Sequence, residues 1–495
     1  MLQVRILSLI AFLACFLPAV GQESVGRPQG DWTLQQCIDY ALENNLQLRL
    51  TQLNVNSSEE ALTLAEHARY PNLNGFLSNN YNWGRSFDVF TNAPVTERVR
   101  SNSVGLSANV TLFNGFSLSN TIKQRQLELN ATKKDVEEAR NNMVLSVANA
   151  YLQILFNREN VANAELQVSS LEKQLERSEQ LVEAGVLPES NLFDLQSQQA
   201  TNQLQLVNAQ NALDFSVLRL QQLLQLPASE EFSVATPDLS NPSTDQLLPS
   251  SREVYGTAET IMPEVRAADT RIESTQLGID VAKANYLPSL SLSAGVNTFY
   301  SSAQEEVLLG YSETTEQVIG LVDLPSVPNF PDLPSLPVTA QVPDRDSEPL
   351  VEEFGLLDQF EESLRRSIGL TLNIPIYNRN QAKSSVARAR IANEQARLNA
   401  QITRNNLRQT IEQARQDALS AAKTYESNRK QVKALEETFR TTQERFNLGV
   451  TDITDFTVVQ NNLNAARTNL LRAKYDFIFK RKVLDFYMGK AITLD

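Results

Sequence analysis

Beyond residue 21 the chain has no long hydrophobic run, one cysteine and one histidine, and each shortage removes a class of function. No later stretch approaches the roughly 20 apolar residues of a membrane-spanning helix. The lone histidine, His67, has no cysteine beside it, so neither a zinc site nor a Ser-His-Asp arrangement has its parts. No Gly-rich phosphate loop occurs. Lysine and arginine total 44 against 58 acidic residues, for a formal charge of −14, and the basic residues are scattered along helical stretches. Phosphate binding needs them clustered, so nucleic acid is not an expected partner. No catalytic residue, cofactor or metal ligand is expected.

What is present begins with a leader. In residues 1–21, Arg5 supplies the charge, Ile6 to Val20 the apolar core, and Ala19 with Gly21 a small-residue cleavage pattern, so the mature chain is exported. Acylation at Cys15 is the alternative, but Phe12-Leu13-Ala14 matches a lipobox poorly. Either way one thiol remains, and Cys37 reads as a small apolar residue buried on a helix.

Two copies of one plan follow. Val182-Glu183-Ala184-Gly185-Val186 matches Phe446-Asn447-Leu448-Gly449-Val450, and Leu112-Phe113-Asn114-Gly115 matches Ile376-Tyr377-Asn378-Arg379. Phe113 to Gly185 and Tyr377 to Gly449 are equal intervals of 72 residues. From Phe116 to Ala184 and from Asn378 to Leu448 neither Pro nor Gly occurs, and apolar residues recur at helical spacing, which predicts long helices over 116–183 and 379–447. Each spans on the order of 100 Å at 1.5 Å per residue, and packs its apolar stripe as in a coiled coil. Shorter helices over 31–68, 189–224, 264–286 and 452–489 complete four columns. The first repeat runs 31–224, a linker at the equator 225–257, and the second repeat 258–489.

Four segments alternate with period two, near 72–84, 103–113, 288–300 and 366–377. In the second, Val104, Leu106, Ala108 and Val110 share one face against Ser103, Gly105, Ser107 and Asn109. The first is ragged, because Phe76 falls opposite Leu73, Leu77 and Tyr81. Aromatic residues near the strand ends, among them Tyr70, Trp83, Phe113 and Tyr377, resemble the girdles of a membrane barrel. Four strands cannot close a barrel, and an open edge cannot sit in lipid. Three copies supply twelve strands. The expected fold is therefore an α+β membrane protein: long antiparallel helices form a trimeric α-helical tunnel joined to a shared 12-stranded transmembrane β-barrel, four strands per subunit.

Residues 301–366, the place where the copies differ most in length, are acidic and carry Pro325, Pro328, Pro331, Pro334 and Pro337 at every third position. That spacing favours polyproline II, and the segment reads as an extended loop outside the cell.

The Tyr70-Pro71-Asn72-Leu73 and Leu287-Pro288-Ser289-Leu290 strand entries, the Phe113-Asn114-Gly115 exit and the paired hairpins around Gly185 and Gly449 resemble the TolC-like outer-membrane efflux protein family over nearly the whole mature chain. The resemblance implies a homotrimer in the bacterial outer membrane, in contact with its lipid, with a helical tunnel in the periplasm. It implies tips, at Gly185, Val186, Leu187, Gly449, Val450 and Thr451, that dock a periplasmic adaptor (membrane fusion) protein and an inner-membrane pump. It also implies a tunnel entrance closed by polar side chains, here Asn191, Asp194, Asp452 and Asp455. For Asp455 a helix N-terminal carboxylate is an equal reading. The function implied is export of small molecules or polypeptides through a tripartite efflux or type I secretion system. The rival is a periplasmic coiled-coil adaptor or scaffold without a pore.

Overall fold

The computed structural model describes residues 30–493 except 89–92, 97, 187, 230, 238–241, 243–247, 305, 313, 323–335, 344–348 and 449. The leader, with Cys15, lies outside the described residues. Two compact units emerge: a helical one, holding the described residues up to Leu62, Lys123–Gln276 and those from Arg390 on, and a sheet unit of Thr63–Ile122 and Leu277–Ala389.

The helices are α1 (Leu34–Asn44), α2 (Leu46–His67), α3 (Ser117–Glu183), α4 (Glu189–Leu224), α5 (Ser251–Ile261), α6 (Pro263–Lys283), α7 (Leu356–Glu362), α8 (Gln381–Asn447) and α9 (Ile453–Tyr487). Both long helices, α3 and α8, have 67 residues, because no Pro or Gly interrupts either. The single helix expected over 31–68 is two. At Asn45 the backbone turns extended; its side-chain carbonyl accepts from the amides of Gln47 and Leu48, and its amide group donates to the Leu223 carbonyl at 3.1 Å. A polar side chain thus supplies both the stop and the restart. The linker expected over 225–257 holds the start of α5, which ends at Ile261 because Pro263 forces the capping residue Met262 out of the helical region.

The core of the helical unit gathers Trp32, Cys37, Ile38, Tyr151, Ile154, Leu155, Leu220, Leu224, Val234 and Ile478. Trp32 forms a parallel bridge to Val234, and the buried Tyr151 hydroxyl donates to the Ala235 carbonyl at 2.6 Å. Burial pushes the Tyr151 phenol well above its ordinary value. It stays a neutral donor, pinning the linker to α3.

The strands are β1 (Asn72–Asn82), β2 (Ser86–Asp88), β3 (Ala93–Val95), β4 (Val99–Asn114), β5 (Ser289–Ser301), β6 (Glu306–Tyr311), β7 (Thr314–Val322), β8 (Leu336–Pro343), β9 (Pro349–Glu353) and β10 (Arg365–Asn373). An antiparallel sheet runs in the order β1-β4-β5-β10, so β1 and β10 are its two edges. One face presents Leu73, Leu77, Leu106, Ile368, Leu370 and Leu372, all exposed. The other is Ser, Asn, Gly and Thr, with few exceptions. β10 stops at Asn373, short of the alternation that continues to Ile376, because Pro375 has no N–H for the ladder.

Residues 301–366 are not a loop throughout. β6 pairs with β9, and β7 with β8. Across a bulge at Val318/Gly320, Val318 and Leu321 share one face of the second pair, and Val338 and Val342 share the other. Pro337 and Pro343 are tolerated because β8 pairs on one side only. Pro325, Pro328, Pro331 and Pro334 lie outside the described residues.

Candidate functional site

The sheet-to-helix turns set where the long helices begin. Before α3, Gly115 and Phe116 are both left-handed, with φ of 64° and 65°; before α8, Arg379 and Asn380 take 51° and 67°. Gly115 is needed for a second reason: a Cβ there would lie 2.8 Å from that of Leu287. Arg379 and Asn380 make the same turn without glycine, in a backbone region unfavourable to L residues.

At the first hairpin tip, α3 ends with Gly185 at φ 72°, and the Val186 amide reaches back to the Leu181 carbonyl at 2.9 Å. The same closure ends α8, where the Val450 amide donates to the Arg445 carbonyl at 2.9 Å. Such closures satisfy carbonyls that the helix end would strand. Val186 and Val450 are each 65% exposed, and Leu448 is 78% exposed, so both tips carry bare apolar side chains. Thr451, expected among them, is only half-exposed, with its hydroxyl oxygen buried. Leu187 and Gly449 lie outside the described residues.

Of the four entrance residues, the structure joins two. Asp452 caps α9 with its carboxylate, accepting from the Asp455 amide at 2.9 Å. Asp455 sits in the first helical turn, where a negative charge meets the positive end of the helix dipole. Asn191, half-buried, donates its backbone N–H to the Pro188 carbonyl at 3.1 Å, and Asp194 is exposed on α4. Among the described residues no hydrogen bond links either to Asp452 or Asp455.

An apolar cluster behind the tips was not anticipated. Leu171 of α3, Leu195 of α4, and Ile453 and Phe456 of α9 are buried together, with Phe439 and Phe446 of α8 packed on them. Phe456 is fully buried; its ring stacks on Phe446 at 4.8 Å and tilts against Phe439 at 5.6 Å. The sequence signal was available as Phe439 and Phe446 at i, i+7, one face of a helix. Farther along, return helices α4 and α9 are stitched by a reciprocal amide pair, Gln198 with Asn461, at 3.2 Å each way.

Phe76, the residue that broke the alternation of β1, has a partner. It pairs in register with Gly105 of β4, and a Cβ on that glycine would lie 2.7 Å from the Phe76 ring. The aromatic ring lies on the bare backbone that a glycine leaves. No helix among the described residues is long and apolar enough to cross a membrane.

The sequence model of the outer membrane efflux protein family matches residues 37–225 and 329–490, well over half of the chain. The chain belongs to the outer membrane efflux protein family. As a member, it is an outer-membrane channel protein of the efflux class, and that family is one of channels rather than enzymes. The chain is 20% identical to the outer membrane efflux protein BepC of Brucella suis over 449 residues, which are 90% of this chain and 83% of BepC. It is 25% identical to the cation efflux system protein CusC of Escherichia coli O157:H7 over 302 residues, 60% of this chain and 61% of that one. A crystal structure of CusC superposes with a TM-score of 0.71 at 18% identity, covering 94% of this efflux protein and 96% of CusC, and so shares its fold.

Proposed function

We propose that three copies of this chain close a twelve-stranded barrel in the outer membrane, continuous with a tunnel of helices, and that this duct exports small molecules or polypeptides in a tripartite efflux or type I secretion system. The observation that carries the reading is the pair of unpaired edges, β1 and β10, on a sheet whose apolar face is bare. In hydrocarbon an unpaired strand edge strands several polar groups, each at a cost of several kcal/mol, and pairing β10 of one copy with β1 of the next removes both edges at once. That contact is head-to-tail and must close into a ring.

The helices support the same closure. Leu46, Leu50, Leu53 and Leu64 leave an exposed stripe on α2, the helix that leads into β1. Ile391, Leu398 and Ile402 leave another on α8, which follows β10. One stripe belongs to the helix before β1 in sequence and the other to the helix after β10, and each is surface that a neighbouring copy can cover. In this reading the two halves are copies of one plan. Their helices run 11, 22, 67 and 36 residues in the first and 11, 21, 67 and 35 in the second.

The exposed Val186, Leu448 and Val450 at the tips suit capture of a periplasmic adaptor coupled to an inner-membrane pump, with Asn191, Asp194, Asp452 and Asp455 at the tunnel entrance and residues 301–366 on the extracellular side. A poreless scaffold gains nothing from the bare apolar sheet face.

Cysteines at Ser78 of β1 and Gly369 of β10, paired between copies by oxidation in cells, are expected to trap a covalent trimer resistant to denaturation. Monomer alone, or an open ladder beyond three, would refute the ring. A photoreactive residue at Val450 is expected to capture an adaptor; capture of the neighbouring copy alone would remove the docking assignment and leave the ring standing.

A further inference from the structure

We propose that one row of the sheet, Phe76-Gly105-Asn297-Arg365, is a selectivity constriction of the barrel that favours organic anions over cations. The inference rests on the proposed barrel, with the polar sheet face turned to the lumen. The row follows from the register: Phe76 pairs with Gly105, Gly105 with Asn297, and Asn297 with Arg365, so one hydrogen-bonded row crosses all four strands.

That row differs from the rest of its face. Within the four paired strands, Arg365 is the one charged residue on the polar side; Arg100 and Arg366 belong to the opposite face by alternation from Leu106 and Ile368. The Arg365 guanidinium lies over the Phe299 ring, 4.8 Å from its centroid, on the same face. A cation held over an aromatic ring keeps its charge and loses reach, which fixes it near the wall. No ion pair among the described residues neutralises it. In the same row the Phe76 ring covers Gly105, and Phe76 is 47% exposed.

In a closed barrel of identical copies symmetry repeats Arg365 at one height, giving a ring of guanidinium groups, and because the strands tilt the Phe76 rings repeat at another height along the lumen. Rings of arginine in a pore select anions, because low-dielectric walls focus the field across a narrow lumen. The phenyl faces add an apolar surface on which the body of a carboxylate-, sulfonate- or phosphate-bearing compound can slide.

The test places Asn297→Cys in the full-length protein and labels whole cells from outside with two thiol reagents of similar size, a methanethiosulfonate carrying a sulfonate and one carrying a trimethylammonium group. The native thiol is silent, since Cys37 is buried and burial pushes it up to about 12. The anionic reagent is expected to react faster. Arg365→Gln should lower the anion-to-cation rate ratio roughly tenfold at low salt, in line with electrostatic focusing of ligands in charged clefts. Arg365→Lys should keep most of the ratio, and Phe76→Ala should speed both reagents alike. Added salt must also pull the ratio of the Arg365 parent toward one by screening; this arm needs no variant at Arg365, so it decides even if Arg365→Gln does not assemble. A ratio that neither Arg365→Gln nor salt moves overturns the constriction while leaving the barrel intact. An assembled Asn297→Cys protein whose introduced thiol reacts with neither reagent removes the lumen assignment, and the constriction with it.

Discussion

The two hairpin tips close their long helices in one way and anchor them in different ways. Both use a backbone amide reaching five residues back, from Val186 to Leu181 and from Val450 to Arg445, each at 2.9 Å. Beyond the turn they part. Pro188 caps α4 with no side-chain hydrogen bond, and Phe193 in the second turn of that helix is 60% exposed. Asp452 begins α9 with a carboxylate cap, and Ile453 and Phe456 are buried among the rings of Phe439 and Phe446. The second return helix is therefore riveted to its long partner, whereas the first starts on a rigid proline and leaves its aromatic residue bare. Both tips leave a valine exposed at the turn, and the second adds a buried aromatic anchor behind it.

The largest effect that separates them is expected from Phe456→Ala. Emptying a fully buried aromatic site costs about 3–5 kcal/mol, and here the loss falls on the second tip. Limited proteolysis of the assembled protein should shift toward cleavage near residues 446–456, with the sheet unit unaffected. Phe193→Ala should leave the proteolytic pattern unchanged, since exposed substitutions fall within roughly 0.5 kcal/mol. Equal sensitivity at the two tips would erase the contrast. A smaller effect belongs to the first tip. Gly185 takes φ 72°, and a Cβ there would meet nothing within 4 Å, so Gly185→Ala costs only backbone strain, about 1–2 kcal/mol. Hydrogen exchange at the Val186 amide should speed accordingly, and unchanged exchange would mean that the closure does not depend on the left-handed residue.

Much of this architecture was legible because its signals are local and repeated. Freedom from Pro and Gly over some 67 residues leaves a chain with apolar residues at helical spacing little alternative to α3 and α8. Period-two alternation became β1, β4, β5 and β10, since small polar and apolar residues on opposite faces suit a sheet with two unlike environments. What escaped depends on partners far away in sequence. Phe76 looked misplaced because the glycine that receives it lies on another strand, 29 residues on. Asn45 interrupts a helix through a bond to Leu223, and one asparagine among many polar residues gives no warning of that. Prolines at every third position suggested an extended segment, while β-branched residues on either side of Pro325–Pro334 pair as the two-stranded β7 and β8. Of the site, the glycine turns and bare valines could be read directly. The aromatic cluster shows in the sequence only as Phe439 and Phe446 on one helix face, because the rest is assembled from three other helices.

The smallest expected effect also bears most directly on why the tips differ. Asp452→Ala removes the acceptor that holds the Asp455 amide at 2.9 Å, and loss of such a cap costs about 1 kcal/mol. Exchange of the Asp455 amide should rise about fivefold, which is the factor that 1 kcal/mol implies. The reciprocal change gives the first tip what the second has: Pro188→Ser places a hydroxyl where the first free amides of α4 can donate to it. The gain should stay below about 1 kcal/mol, because losing proline restores freedom to the unfolded chain. Slower exchange at Asn191 and the following amides, with adaptor capture from Val186 unchanged, would assign the difference between the tips to anchoring. A loss of capture from the stiffened tip would instead mean that the first hairpin must yield in order to dock.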